Sequence, residues 1–149
     1  MIGALYDKYV LPKILDVCCS TKPINYQRNK VVPKAKGNVL EIGIGSGLNI
    51  PHYDKSSVNK IIGLDPSEEL NEIAIKNAAN HSIDIDFVIG GAEEIALPSN
   101  SIDTLLITYT LCTIPELKES LREMKRVIKD DGILLFCEHG IAPDQNIMK

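Results

Sequence analysis

The sequence predicts an α/β fold, a doubly wound and mostly parallel sheet of about five strands, on the strength of three observations. Strand-like and helix-like segments alternate along the chain, with no internal repeat. The first strand-like run opens into Glu41-Ile-Gly-Ile-Gly-Ser-Gly47. Glycines at alternate positions there free the backbone for a tight turn that a ligand can approach closely. The next apolar run, Ile61-Ile62-Gly63-Leu64, ends on Asp65, which places an acidic side chain at the tip of the second strand. Together these features outline a nucleoside pocket at the carboxyl ends of two parallel strands.

The elements follow in order. Residues 6–18 read as an amphipathic helix notched by Pro12, and 26–32 as a second short helix ended by Pro33. Residues 39–42 form the first strand, and 48–53 a short helix broken by Pro51. The second strand covers 61–64. Ser67 is a helix cap with Glu68 and Glu69 in the first turn, where the helix dipole favours acids. Leu70, Ile73, Ala74 and Ala78 make that helix's inward stripe. Residues 85–89 and 104–108 are the third and fourth strands. Residues 116–129 give the clearest helix, with Leu117, Leu121, Met124 and Ile128 at helical spacing. Asp131-Gly132 reads as a turn and 133–137 as the fifth strand. One domain accounts for 1–149: N-terminal helices over 1–36 and a ligand-binding core over 37–149.

Composition narrows the partners. Hydrophobic residues make 44% and charged residues 24% of the 149, ordinary values for a globular domain. A net charge of −4 argues against a nucleic-acid substrate, which calls for a basic stripe. No apolar run is long enough to span a bilayer, although peripheral association stays open. Asp7, Lys8, Lys13 and Asp16 interrupt any signal-peptide pattern, so a cytoplasmic location is expected. The four cysteines lack a C-x-x-C spacing, and no metal site is expected.

Glycine spacing decides between nucleotides. A dinucleotide fingerprint needs a third glycine where this chain has Leu48, and no Lys-Ser/Thr pair follows the loop, which excludes a triphosphate P-loop. Glu41 would repel phosphate but suits a ligand carrying an ammonium or sulfonium group. This combination resembles the first motif of the class I S-adenosylmethionine-dependent methyltransferases, acidic-x-Gly-x-Gly-x-Gly. Gly91-Ala-Glu93-Glu-Ile-Ala-Leu-Pro98, Ser101-Ile-Asp103, Thr108-Tyr-Thr-Leu-Cys-Thr-Ile-Pro115 and Val127-Ile-Lys-Asp-Asp-Gly132 are similar to that family's later motifs. Val39-Leu-Glu-Ile-Gly-Ile-Gly-Ser-Gly-Leu-Asn49, Leu111-Cys-Thr-Ile114 and Glu138-His-Gly140 resemble a branch holding quinone-biosynthesis, phospholipid and thiol methyltransferases.

The resemblance implies a Rossmann-like methyltransferase fold with S-adenosylmethionine as cofactor and a small-molecule or lipid-like methyl acceptor. It implies roles for particular residues. Glu41 stands near the methionine amino group, and Gly43, Gly45 and Gly47 let the backbone pass under the cofactor. Asp65, with Pro66 beside it, holds the ribose, and Ala92 and Glu93 hold the adenine. The backbone at Thr108 holds the methionine moiety, Asn49 is a further cofactor-binding position, and Tyr6 lies on a helix over the cofactor. Tyr109, Cys112 and His139 fall on the acceptor side. Blander roles compete: a plain tight turn for the glycines, a helix start for Asp65 or Glu93, a local cap for Asn49, a core aromatic for Tyr6. Two departures stand out. Gly91 replaces a frequent Asp, and the chain stops at Lys149, before the family's usual C-terminal strands. Strand 133–137 is then an open edge that a second copy could cover as a homodimer. The rival reading is a truncated, catalytically inactive cofactor-binding module completed by a partner. A nicotinamide oxidoreductase is disfavoured by Leu48.

Overall fold

The computed structural model describes residues 19–140; the expected helix over 6–18, with Tyr6 and Cys18, lies outside them. Strands β1 (Gly37–Ile42), β2 (Val58–Asp65), β3 (Ile85–Ile89), β4 (Ile102–Thr108) and β5 (Ile128–Cys137) form one sheet. Their order is β3-β2-β1-β4-β5, and every neighbouring pair is parallel. Helices α1 (Lys22–Val31), α2 (Glu68–His81) and α3 (Leu117–Val127) join a few short 3-10 turns as the remaining elements.

Two apolar layers explain the double winding. Leu40, Ile42, Leu105 and Ile107 meet Met124 and Val127 of α3 on one face. Val39, Ile61 and Leu106 meet Ala78 of α2 and Val32, just past α1, on the other. Central strands β1 and β4 are therefore buried on both faces over most of their length and are mostly apolar there, with Glu41, Thr104 and Thr108 as the buried polar exceptions. Each fully buried Leu or Ile contributes about 1.5–3 kcal/mol.

The fold matches the expected class, and its boundaries differ in instructive ways. Helix α1 starts at Lys22, four residues earlier than periodicity suggested, because Pro23 fits the first turn, where a missing N–H costs nothing. Residues 48–53 shrink to a 3-10 turn over Ile50–His52. Ser67 caps α2 as expected, accepting from the Leu70 N–H at 3.2 Å. The inward stripe of α2 is Asn71, Ala74 and Ala78, with Leu70 and Ile73 half-buried.

Strand β5 absorbs the expected turn. Ile128 pairs with Ile102 and Ile133 with Thr104, so residues 129–132 form a bulge inside one strand. Lys129 donates to Asp103 at 2.6 Å, and Asp103 accepts the Asn38 N–H at 2.8 Å, tying the bulge to the start of β1.

The α3 stripe is rotated from the expected one. Ser120, Met124 and Val127 are buried, while Leu117 and Leu121 are exposed. Ser120 turns its hydroxyl back to the Glu116 carbonyl, so a small residue can face the sheet. Leu134 and Phe136, in register with Leu105 and Ile107, are also exposed. An apolar strip therefore runs along the β5 edge of the sheet.

Candidate cofactor site

The chain runs β1 to β2 to β3 in one direction, then returns across the sheet to β4. The carboxyl ends of β1 and β4 flank that switch point, where open parallel sheets bind their ligands. The glycine loop leaves β1 there. Gly43, Gly45 and Gly47 all have positive φ, at 69°, 54° and 83°, which a side chain would strain. They are not equivalent. A Cβ at Gly47 would meet Ile50 at 2.5 Å and the Ala74 backbone at 3.3 Å, so this glycine seats the loop on α2. A Cβ at Gly45 would have only the Gly43 carbonyl at 4.0 Å, so Gly45 faces open space on the ligand side. Gly47→Ala is expected to destabilise the chain by about 1–3 kcal/mol in denaturant unfolding, from strain and collision together. Gly45→Ala, strained by its positive φ but meeting no collision, is expected to cost less in the same unfolding measurement.

Asp65 closes the loop from the neighbouring strand. Its Oδ2 accepts the Gly45 N–H and its Oδ1 the Ser67 N–H, both at 2.9 Å. Burial raises its pKa, against those two backbone donors. Each oxygen keeps a free lone pair, so the carboxylate can brace the loop and still accept further donors. Pro66 is exposed beside it.

Ala92 is buried in the core and Glu93 is half-buried. Glu93 folds its carboxylate against Gly91, into the space a side chain at 91 would need. The loop carrying both is held from α3: Arg126 donates to the Ile95 carbonyl at 2.7 Å and the Leu97 carbonyl at 2.8 Å. Glu123 accepts from Arg126 and from the Ile95 N–H, and these bonds, the arginine's first, pull its carboxyl down to about 2.

Across the switch point lies a buried polar network. Glu41 is 1% exposed; it accepts from Tyr53 Oη at 2.6 Å and from Asn49 Nδ2 at 2.8 Å. Burial raises its carboxyl from 4.5 to about 7, although those two bonds and the Arg28 charge oppose the shift. Burial, then the Glu41 charge, pushes Tyr53 well above its ordinary value. Glu41 thus stands behind Asn49, with both oxygens engaged. Asn49 also reaches Thr108 Oγ1 at 2.9 Å. Arg28, from α1, donates to Asn49 Oδ1 and Thr108 Oγ1, both at 2.7 Å.

Beyond β4, Tyr109 adopts φ 56°, unusual for an aromatic residue, with its N–H on the Cys137 carbonyl. Its ring lies 4.8 Å from that of His139, and its hydroxyl accepts from the Cys137 thiol at 3.3 Å. Glu138 accepts the Thr110 and Leu111 N–H groups, which fixes the turn after β4. Cys112 is exposed.

The structure therefore gathers Glu41, the three glycines, Asn49, Asp65 and Thr108 at one end of the sheet, with Ala92 and Glu93 after β3. Sequence reasoning missed Arg28 and Tyr53. A signal for Arg28 existed: Ile24, Arg28 and Val31 share one helical face at i, i+4 and i+7 spacing.

Comparison with known proteins agrees with this geometry. Residues 40–136 match the methyltransferase-domain family, and the chain belongs to this family of S-adenosylmethionine-dependent methyltransferases. It is 31% identical over 137 residues to the ubiquinone/menaquinone biosynthesis C-methyltransferase UbiE of Campylobacter jejuni, covering 92% of this chain and 48% of that protein. It is 29% identical over 123 residues to the human thiol S-methyltransferase TMT1B, covering 79% and 50%. The crystal structure of YcgJ from Bacillus subtilis superposes with a TM-score of 0.69 at 27% identity, covering 83% of this chain and 52% of that one. The chain spans about half the length of the curated relatives it matches. Among the described residues no helix is long and apolar enough to cross a membrane, and no group of three or more side chains could hold a metal ion.

Proposed function

We propose that this chain transfers a methyl group from S-adenosylmethionine to a small-molecule or lipid-like acceptor. One observation carries the reading: at the sheet's switch point, the acid at the tip of β2 grips a glycine loop whose middle glycine faces open space. A nucleoside can lie on that loop with its ribose hydroxyls against Asp65, and Ala92 and Glu93 then border the base. Glu41, Asn49 and Thr108 occupy the opposite end, where the methionine portion belongs.

Bound there, S-adenosylmethionine supplies a sulfonium-activated methyl group. The chain's own work is positioning and exclusion of water. A neutral amine or an already formed carbanion attacks without a base. A thiol, phenol or ammonium group must first lose a proton, and His139, its ring tilted against that of Tyr109 just past β5, is the candidate we name to take it. The acceptor class is supported by the net charge of −4, which disfavours nucleic acid, and by the quinone and thiol substrates named for relatives.

The test is formation of S-adenosylhomocysteine by the purified chain with a panel of quinols, alkyl thiols and amine headgroups. Turnover on one of them is expected. Cofactor binding with no turnover on any would instead favour a cofactor-binding module without activity.

A further inference from the structure

We infer that Arg28 is the anion receptor of this site, and that its guanidinium takes the α-carboxylate at the amino-acid end of the cofactor. The inference rests on the proposed cofactor and adds a residue and a contact to it.

Arg28 is buried with no counter-ion bonded to it among the described residues. Arg28 is 4% exposed, yet its partners among the described residues are the neutral oxygens of Asn49 and Thr108. Its Nε is buried with no hydrogen-bond partner. A guanidinium withdrawn from water is costly unless paired with an anion. Glu41 is separated from it by Asn49, which donates to the carboxylate and accepts from the arginine.

Within α1 only Arg28 is buried, and Tyr26 is 62% exposed. Ordinary helices dock through an apolar stripe. Here the deepest side chain is the charged one, and it crosses to Asn49, in the loop that follows β1, and to Thr108, at the end of β4. A purely structural role would be met more cheaply by leucine.

Asp65, at the tip of β2, marks the ribose end, and β1 separates β2 from β4 in the sheet. Arg28 lies on the far side of the glycine loop, at the end of β4. A ligand whose ribose meets Asp65 extends its amino-acid portion toward Arg28. The fork of N–H donors on a guanidinium matches a carboxylate better than any other group there. Tyr109, whose ring centroid lies 5.1 Å from the guanidinium carbon, backs the group and helps to hold its plane.

The experiment compares three ligands on the full chain by calorimetric titration: S-adenosylmethionine, its decarboxylated analogue, and 5′-methylthioadenosine, which lacks the amino-acid portion. The unaltered chain should bind S-adenosylmethionine at least about tenfold more tightly than the decarboxylated analogue, as a charge-assisted hydrogen bond implies. Arg28→Met, checked for folding by circular dichroism, should lose that preference while holding 5′-methylthioadenosine as before. Arg28→Lys should keep part of the preference. Equal affinity of the unaltered chain for the first two ligands would overturn the assignment to Arg28 and leave the cofactor reading standing. That comparison needs no variant to fold. Failure of all three ligands to bind would overturn both.

Discussion

Asp65→Ala is expected to weaken S-adenosylmethionine binding by about a hundredfold, or ~2–3 kcal/mol, the effect of losing charge-assisted hydrogen bonds to a ligand. Two losses add. The ribose hydroxyls lose their acceptor, and Gly45 and Ser67 lose the carboxylate that receives their N–H groups. The second loss loosens the glycine loop before any ligand arrives. Asp65→Asn should be milder, because its side-chain carbonyl still accepts from one of the two amides. Calorimetry gives the affinity, and hydrogen exchange over residues 43–47 reports the loop. Unchanged affinity in Asp65→Ala would remove the ribose assignment.

Glu41→Gln should change the pH dependence of stability. Burial holds the folded-state carboxyl near 7, above its ordinary 4.5. Between those values the folded chain binds more protons than the unfolded one, so stability falls as pH rises. The contribution is fully present below about 4.5 and has gone above about 7, a change of about 3 kcal/mol. Glutamine does not titrate and removes this slope. Its amide can still accept from Asn49 and donate to the Tyr53 oxygen. Denaturant unfolding of both proteins from pH 4.5 to 8 should therefore show glutamine gaining relative to glutamate as pH rises. Parallel curves would mean that Glu41 is ionised throughout, held so by Arg28.

How much of this was legible in sequence depends on what carries each feature. The strands around the site were readable because a central parallel strand is buried on both faces and so mostly apolar, as 39–42 and 104–107 are apart from Glu41 and Thr104. The glycine loop was readable because positive φ leaves a compositional trace, and Ser67 because helix caps use few residue types. Strand β5 was cut short because Asp131-Gly132 looks like a turn, and only pairing with β4 reveals a bulge. Leu117 and Leu121 were assigned to the core because periodicity fixes an apolar stripe but not its rotation. Asp65 was placed correctly at the strand tip, while its hold on Gly45 depends on a long-range contact. Arg28 was missed because a polar helix reads as solvated: its spacing with Ile24 and Val31 marks an inward face, but what it meets there, residues 49 and 108, is set by long-range contacts.

In the function proposed above, the end of the sheet around Asp65, Gly45 and Asn49 holds S-adenosylmethionine. Calorimetric titration of the folded chain with S-adenosylmethionine and S-adenosylhomocysteine, with NAD as comparator, tests it most directly. Dissociation constants on the order of micromolar for both sulfur nucleosides, with no heat from NAD, are the expected result. No binding of either sulfur nucleoside to a chain shown to be folded, or binding of NAD in their place, would contradict the account.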